Sequence, residues 1–284
     1  MSYIVTATTG HLGRLIVDSL LARGTAPTSI VATARNAQKL SALAELGVKT
    51  AVLDYTQPET VAAVVQSGDV LVLVSGSELG HRFQQHSAVI TAAQAAGVSR
   101  IVYTSAPRAT TSDLLLAPEH KATEEFLIAS GVPFTILRNG WYTENYAGEI
   151  DKARQSGEIV ASVGHGTVSS ASRADYADAA AAALLDDSLT GQTLELSGDH
   201  AWDFDELAAT IGTLIGRDVT FRNLTPDAHT EMLTGFGLDA GLVGFVVGLD
   251  GNIRDGLLGE ANGDLARLIG RPTTPLAVGL AAGL

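Results

Sequence analysis

The chain of 284 residues contains no cysteine. That absence excludes disulfides, a thiolate nucleophile and sulfur-ligated metals, and it makes a reducing cytoplasm the natural compartment. Basic residues are also few: 18 lysines and arginines stand against 31 acids, a formal net charge of -13. Such a balance repels a polyphosphate and offers no basic stripe, so nucleic acid is not expected as a partner. The longest uncharged apolar stretches, Gly241 to Leu249 and Pro275 to Leu284, reach only about half of the ~20 residues a membrane helix needs. No membrane insertion is expected; the two stretches suit the cover of a lobe or the interface of a homodimer. No basic residue precedes Arg14, so the first residues do not read as a secretion signal. The expectation is a soluble cytoplasmic protein, and 46% apolar residues give it a sizeable core.

Short β-branched runs alternate with helical patterns along the first half. Strands are predicted at Tyr3–Thr6, Ile30–Thr33, Thr50–Leu53, Val70–Val74, Arg100–Thr104 and Phe134–Leu137, and helices over 11–23, 36–46, 58–67, 81–96 and 119–130. Pro58 and Pro118 fall in first helical turns, and Gly24, Gly47, Gly97 and Gly131 fall where helices should stop. Six such units imply a parallel, doubly wound sheet. After 141 the pattern loosens through 157–170, then gives an alanine-rich helix at 174–186 and a strand at 193–197. Helices near 203–215, 226–236 and 264–270 and a strand at 219–221 complete a smaller α/β substrate lobe. The expected division is a dinucleotide-binding domain over 1–140 and a lobe over 141–284, with the helix and strand of 172–197 returning to the sheet.

Thr6-Ala7-Thr8-Thr9-Gly10-His11-Leu12-Gly13 lies between the first strand and the first helix. Backbone N–H groups and the helix dipole bind a pyrophosphate at such a junction, and small residues let the backbone approach it. Ala7 stands where a first glycine is usual; if that position needs positive φ, alanine carries a strain of roughly 1 kcal/mol. The second strand ends Ala34-Arg35-Asn36, with Lys39 one helical turn on, instead of in the acid that takes ribose hydroxyls. A guanidinium suits a 2′-phosphate, and with no carboxylate competing there NADPH is expected over NADH.

The octapeptide Asn139-Gly-Trp-Tyr-Thr-Glu-Asn-Tyr146 is too aromatic to expose and too polar for a core, so it is expected to line a cleft where a ring-shaped ligand stacks. None of the six tyrosines has lysine four residues later, so the acid that protonates a ketone-derived alkoxide in short-chain reductases is missing. Ser105 and Lys121 match remnants of that tetrad, with Ala117 in the tyrosine's place; each also reads as structural, a turn serine and a surface lysine. A quinone gives a resonance-stabilised hydroquinone anion that water can protonate, whereas a ketone needs a donor, for which His120 and Tyr142 are the candidates.

These segments, together with Leu73-Val-Ser-Gly-Ser-Glu-Leu-Gly-His-Arg82, Tyr103-Thr-Ser105, Glu119-His120, Ser170-Ala-Ser-Arg-Ala-Asp-Tyr176 and Leu268-Ile-Gly-Arg-Pro-Thr-Thr-Pro-Leu276, resemble the NmrA-like branch of atypical short-chain dehydrogenase/reductases. The likeness is greatest to the type 2 NADPH:quinone oxidoreductases and runs over essentially the whole chain. It implies a Rossmann-type enzyme with Ala7, Thr8, Thr9, Gly10, His11 and Leu12 at the pyrophosphate, Arg35 at the 2′-phosphate, and Ser75, Gly76 and Ser77 along the adenosine side. It also implies Gly140, Trp141, Tyr142, Thr143, Glu144 and Asn145 at the nicotinamide, with Arg173 reaching the cofactor from the second lobe. A quinone is the implied substrate. Ketone, carbonyl or imine reduction is the alternative, and an NADP(H)-sensing regulator without turnover is a reading of another class.

Other candidates read as structural. His81 and His86, five apart, do not share a helical face and are expected as surface or capping residues without a metal. Asp175 and Asp178 suit the positive end of the alanine-rich helix. Trp202 is expected in packing, while Glu78 reads equally as facing the cofactor or solvent.

Overall fold

The β-branched runs form the strands β1 (Tyr3–Val5), β2 (Ile30–Ala34), β3 (Lys49–Val52), β4 (Val70–Leu73), β5 (Arg100–Ser105) and β6 (Phe134–Asn139) in a computed structural model that describes residues 1–282. Later in the chain come β7 (Glu158–Ala161), β8 (Thr193–Leu196) and β9 (Thr220–Asn223). The main sheet has the order β3-β2-β1-β4-β5-β6-β8, and every neighbouring pair is parallel. β4 and β5 are buried along their whole length, as a strand covered on both faces must be.

The first five helices are α1 (His11–Ala22), α2 (Ser41–Ala44), α3 (Pro58–Val64), α4 (Arg82–Ala96) and α5 (Ala117–Ala129). The others are α6 (Ala147–Ser156), α7 (Arg173–Leu185), α8 (Phe204–Ile215), α9 (Pro226–Gly235), α10 (Ala240–Arg254), α11 (Asp264–Ile269) and α12 (Leu276–Ala281). α1, α7 and α11 cover one face of the sheet, and α3, α4 and α5 cover the other. Ala177, Ala180 and Ala181 are buried on α7, and their small side chains let it lie close against α1. Ser172 and Asp175 start α7 as a reciprocal capping box, so Asp175 is structural as expected.

The glycines expected to stop helices do so: Gly24, Gly47, Gly97 and Gly131 all have φ between 73 and 83°. A third apolar cluster centres on Trp202, Tyr146 and Phe204, beside the two-stranded parallel sheet β7-β9. Trp202 is therefore a packing residue. The sequence pattern missed α6 and β7 because α6 buries only Ile150 and Ala153, too few for a visible periodicity, and β7 is four residues long. The helix expected over 36–46 is a 3-10 turn at Ala37–Leu40 followed by the single turn of α2. Residues 283 and 284 of the apolar stretch 275–284 lie outside the described residues. Among the described residues no helix is long and apolar enough to cross a membrane.

β1 sits between β2 and β4, so the chain winds one way from β1 to β3 and the other way from β4 onward. The loops after β1 and β4 consequently diverge, opening a crevice at the carboxyl ends of the strands where ligands bind in such sheets.

Candidate active site

Ala7, in the loop after β1, has φ 52°, in the left-handed region that alanine enters only under strain. The loop then tightens, with the Gly10 N–H donating to the Ala7 carbonyl at 2.9 Å. A Cβ at Gly13 would lie 2.5 Å from that same carbonyl oxygen, so glycine is required for the helix to approach the loop. α1 has neither a side-chain cap nor an acid in its first turn, which leaves its N-terminal N–H groups and dipole for an anion.

The loop borders a cleft of about 690 Å³ built from the ends of β1, β2, β4, β5 and β6, with Arg173 added from the start of α7. Ala7, Thr9, Gly10, His11 and Leu12 line it. Thr8 does not: its N–H and hydroxyl both donate to the Thr33 carbonyl, at 2.9 and 3.1 Å, and tie the loop to β2.

Arg35, Asn36 and Lys39 line one end. The expectation that no carboxylate competes there is overturned, because the loop after β4 brings Glu78 within 2.9 Å of Arg35. The end of β2 indeed holds no acid, but the loop after β4, on the far side of β1, supplies one from 43 residues away.

Ser75, Gly76 and Ser77 follow β4 along the wall. His86 is fully buried beneath them, and not a surface residue as expected; His81 is exposed at the start of α4. The Gly76 N–H donates to His86 Nε2 at 3.0 Å, and the Gly76 carbonyl accepts from Arg82 Nε at 2.8 Å. The His86 proton must therefore sit on Nδ1, facing Thr123 Oγ1 at 3.2 Å. Burial first, then the charge of Arg82, hold His86 down to about 3, so it is neutral and keeps this bond.

The other end carries Asn139, Gly140, Trp141, Tyr142, Asn145, Arg173, Ser105 and His120. A Cβ at Gly140 would meet the Leu196 carbonyl and the Tyr176 hydroxyl at 2.8 Å, so β8 and α7 dictate glycine here. Tyr142 stands edge-on to Tyr176, with ring centres 5.3 Å apart, and Arg173 lies 4.6 Å over its ring. Arg173 also donates to Asn145 Oδ1 at 2.9 Å, and Glu144 accepts the Arg173 N–H at 2.8 Å. Glu144 thus secures the start of α7 outside the cleft lining. Thr143 is buried away from it, its hydroxyl 2.8 Å from Ser170 Oγ.

The remnants of the reductase tetrad are dispersed. Lys121 is exposed on α5 and does not line the cleft. Ser105 Oγ donates to the buried Glu124 carboxylate at 2.6 Å, so its proton points away from a substrate. His120 meets the Tyr103 hydroxyl at 2.7 Å, and burial, then Arg82, hold it down to about 3. Burial pushes the Tyr142 hydroxyl above the usual tyrosine range. Asn139 was missed as an individual site residue; it is 5% exposed, and neither atom of its side-chain amide finds a hydrogen-bond partner in the protein. Its signal was its place at the carboxyl end of β6, immediately before Gly140.

A second polar group lies in the lobe, where Ser162 Oγ, His229 Nδ1 and Asp250 Oδ2 approach within 3.2 Å. Serine and aspartate face the same imidazole nitrogen, so the ring cannot pass a proton from one to the other as in a hydrolytic triad.

An uncapped helix start at the switch point, a long cleft and an aromatic end define a dinucleotide-binding α/β protein. The chain belongs to the NAD(P)H-binding family, whose pattern matches residues 8–187. It is 41% identical over 274 residues to quinone oxidoreductase 2 of Escherichia coli, covering 96% of this chain and 95% of the relative. The structure of that NADPH-dependent enzyme complexed with NADPH superposes with a TM-score of 0.93, covering 99% of both chains. A Citrobacter sp. triphenylmethane reductase complexed with NADP(H) gives 0.93 at 33% identity, covering 100% of both. The resemblance drawn from the sequence is borne out.

Proposed function

We propose that the chain is an NADPH-dependent oxidoreductase that reduces quinones. One observation carries the substrate class: the reaction end of the cleft offers flat stacking surfaces and no primed acid. Ser105 donates its hydrogen bond to Glu124, Lys121 is elsewhere, and His120 is neutral. Tyr142 has been made a weaker acid by burial. Such a site suits an acceptor whose reduced anion is stabilised by its own resonance. The likeness to the quinone oxidoreductase of Escherichia coli supports the same class.

The cleft fits the dinucleotide. The uncapped start of α1 would hold the pyrophosphate, Arg35 and Lys39 the 2′-phosphate, and the unpartnered amide of Asn139 a polar group at the nicotinamide end. When bound, the reduced nicotinamide supplies a hydride. Trp141 and Tyr142 would stack and align the acceptor, Arg173 would fix the Tyr142 ring, and the walls Ala106, Pro107, Leu114 and Leu116 would exclude water. Residues 1–140 with the returning α7 and β8 would hold the cofactor, residues 141–284 chiefly the substrate, in the cytoplasm. NADPH oxidation against quinones, ketones and imines, with binding measured alongside, tests this. Quinone turnover is expected; turnover confined to ketones, or binding without turnover, would overturn it.

A further inference from the structure

The four lysine or arginine side chains lining the cleft are not equivalent. Arg82 is paired with Glu119 and the Gly76 carbonyl, and Arg173 with Asn145 and Glu144. Arg35 and Lys39 remain for a phosphate, and among the described residues Lys39 forms no salt bridge. Arg35, in contrast, is spanned to Glu78 on the opposite lip of the cleft, Nη1 to Oε1 at 2.9 Å. The second Glu78 oxygen accepts from Gln85 Nε2 at 2.7 Å, so α4 aims the carboxylate at the arginine. Asp54, the other acid lining the cleft, is turned into its own loop by the Thr56 N–H and hydroxyl, at 2.9 and 2.8 Å.

Resting on the reading of Arg35 as the 2′-phosphate site, we propose that Glu78 is a specificity-determining residue: it competes with the 2′-phosphate for Arg35 and restrains the preference for NADPH over NADH. An incoming phosphate must displace the carboxylate or share the guanidinium with it, and either way a dianion settles beside a fixed anion. NADH brings a ribose hydroxyl, which donates to a carboxylate and is not repelled by it. Glu78 stays ionised at neutral pH, since bonds from Gln85 and Arg35 hold its carboxyl below the usual range. Both partners are well exposed, so screening keeps the effect at roughly three- to tenfold in affinity.

The test is the dissociation constants of NADPH, NADH and 2′,5′-ADP for the full chain, Glu78→Gln, Glu78→Ala and Arg35→Ala, with thermal melting as the folding control. Both Glu78 variants should bind NADPH and 2′,5′-ADP roughly fivefold more tightly, the gain shrinking in high salt, while NADH changes less than about twofold. If NADPH binding is unchanged or weaker in both variants while Arg35→Ala still separates NADPH from NADH, the competition is overturned and the phosphate site stands. If Arg35→Ala weakens the two cofactors equally, the phosphate site itself is wrong and the proposal falls with it.

Discussion

The Ser105 hydroxyl donates to the Glu124 carboxylate across 2.6 Å, and the same carboxylate takes two further bonds from Arg138, at 2.7 and 3.0 Å. The residue that resembles a catalytic serine is thus part of a buried ion-pair network joining β5, α5 and β6. Ser105→Ala should lower stability by about 2 kcal/mol, the scale of a lost bond to a buried charge, and leave quinone turnover within about threefold. Chemical denaturation and steady-state kinetics on one preparation check both halves; a large fall in turnover at unchanged stability would make the serine catalytic.

Tyr142 is held between Tyr176 and Arg173, and its hydroxyl is a weakened acid. Tyr142→Phe keeps the ring and removes the proton. Quinone turnover should stay within about threefold, while any ketone reduction should fall by ~10²-fold, the usual contribution of a general acid. An equal fall for both acceptors would make the hydroxyl part of the quinone reaction.

Ala7 occupies a left-handed conformation that glycine adopts freely. Ala7→Gly should relieve strain of about 1 kcal/mol, partly offset by the greater freedom of glycine in the unfolded chain. The melting temperature should be unchanged or higher, and NADPH affinity unchanged or tighter. A large loss of affinity would mean the methyl group itself contacts the cofactor.

His86 and His120 are both held near 3 by burial and by Arg82. Their neutral forms stabilise the fold fully above the unfolded histidine value of about 6.5. As pH falls from there toward 3 the unfolded chain takes protons that the folded chain refuses. Each histidine should then cost about 1.4 kcal/mol of stability per pH unit. Unfolding free energies from pH 7 to 4 should fall less steeply in His86→Gln and in His120→Gln; parallel curves would refute the burial effect.

Legibility followed locality. The sheet could be read because most of its early strands are contiguous β-branched runs and glycines follow α1, α2, α4 and α5. The loop after β1 and Arg35 could be expected at the cleft because they sit at fixed places after β1 and β2. Glu78 beside Arg35, Ser105 beside Glu124, and His86 beneath Gly76 could not, because each pairing depends on how side chains of different elements are turned toward one another, which no local pattern records. α6 stayed hidden because its partners bury just two of its residues, leaving no periodic stripe to read.

The sheet's last strand, β8, and the helix α7 that covers α1 are both synthesised after the chain has left the sheet for the lobe. A ribosome that has released only the first 140 residues has therefore produced the first half of the chain, with β6 as an open edge and α1 uncovered. That half cannot mature by itself during translation and must wait for residue 196. A gene fragment ending near 140 should yield an aggregating product, whereas an insertion in the exposed turn at Phe236–Asp239 should be tolerated.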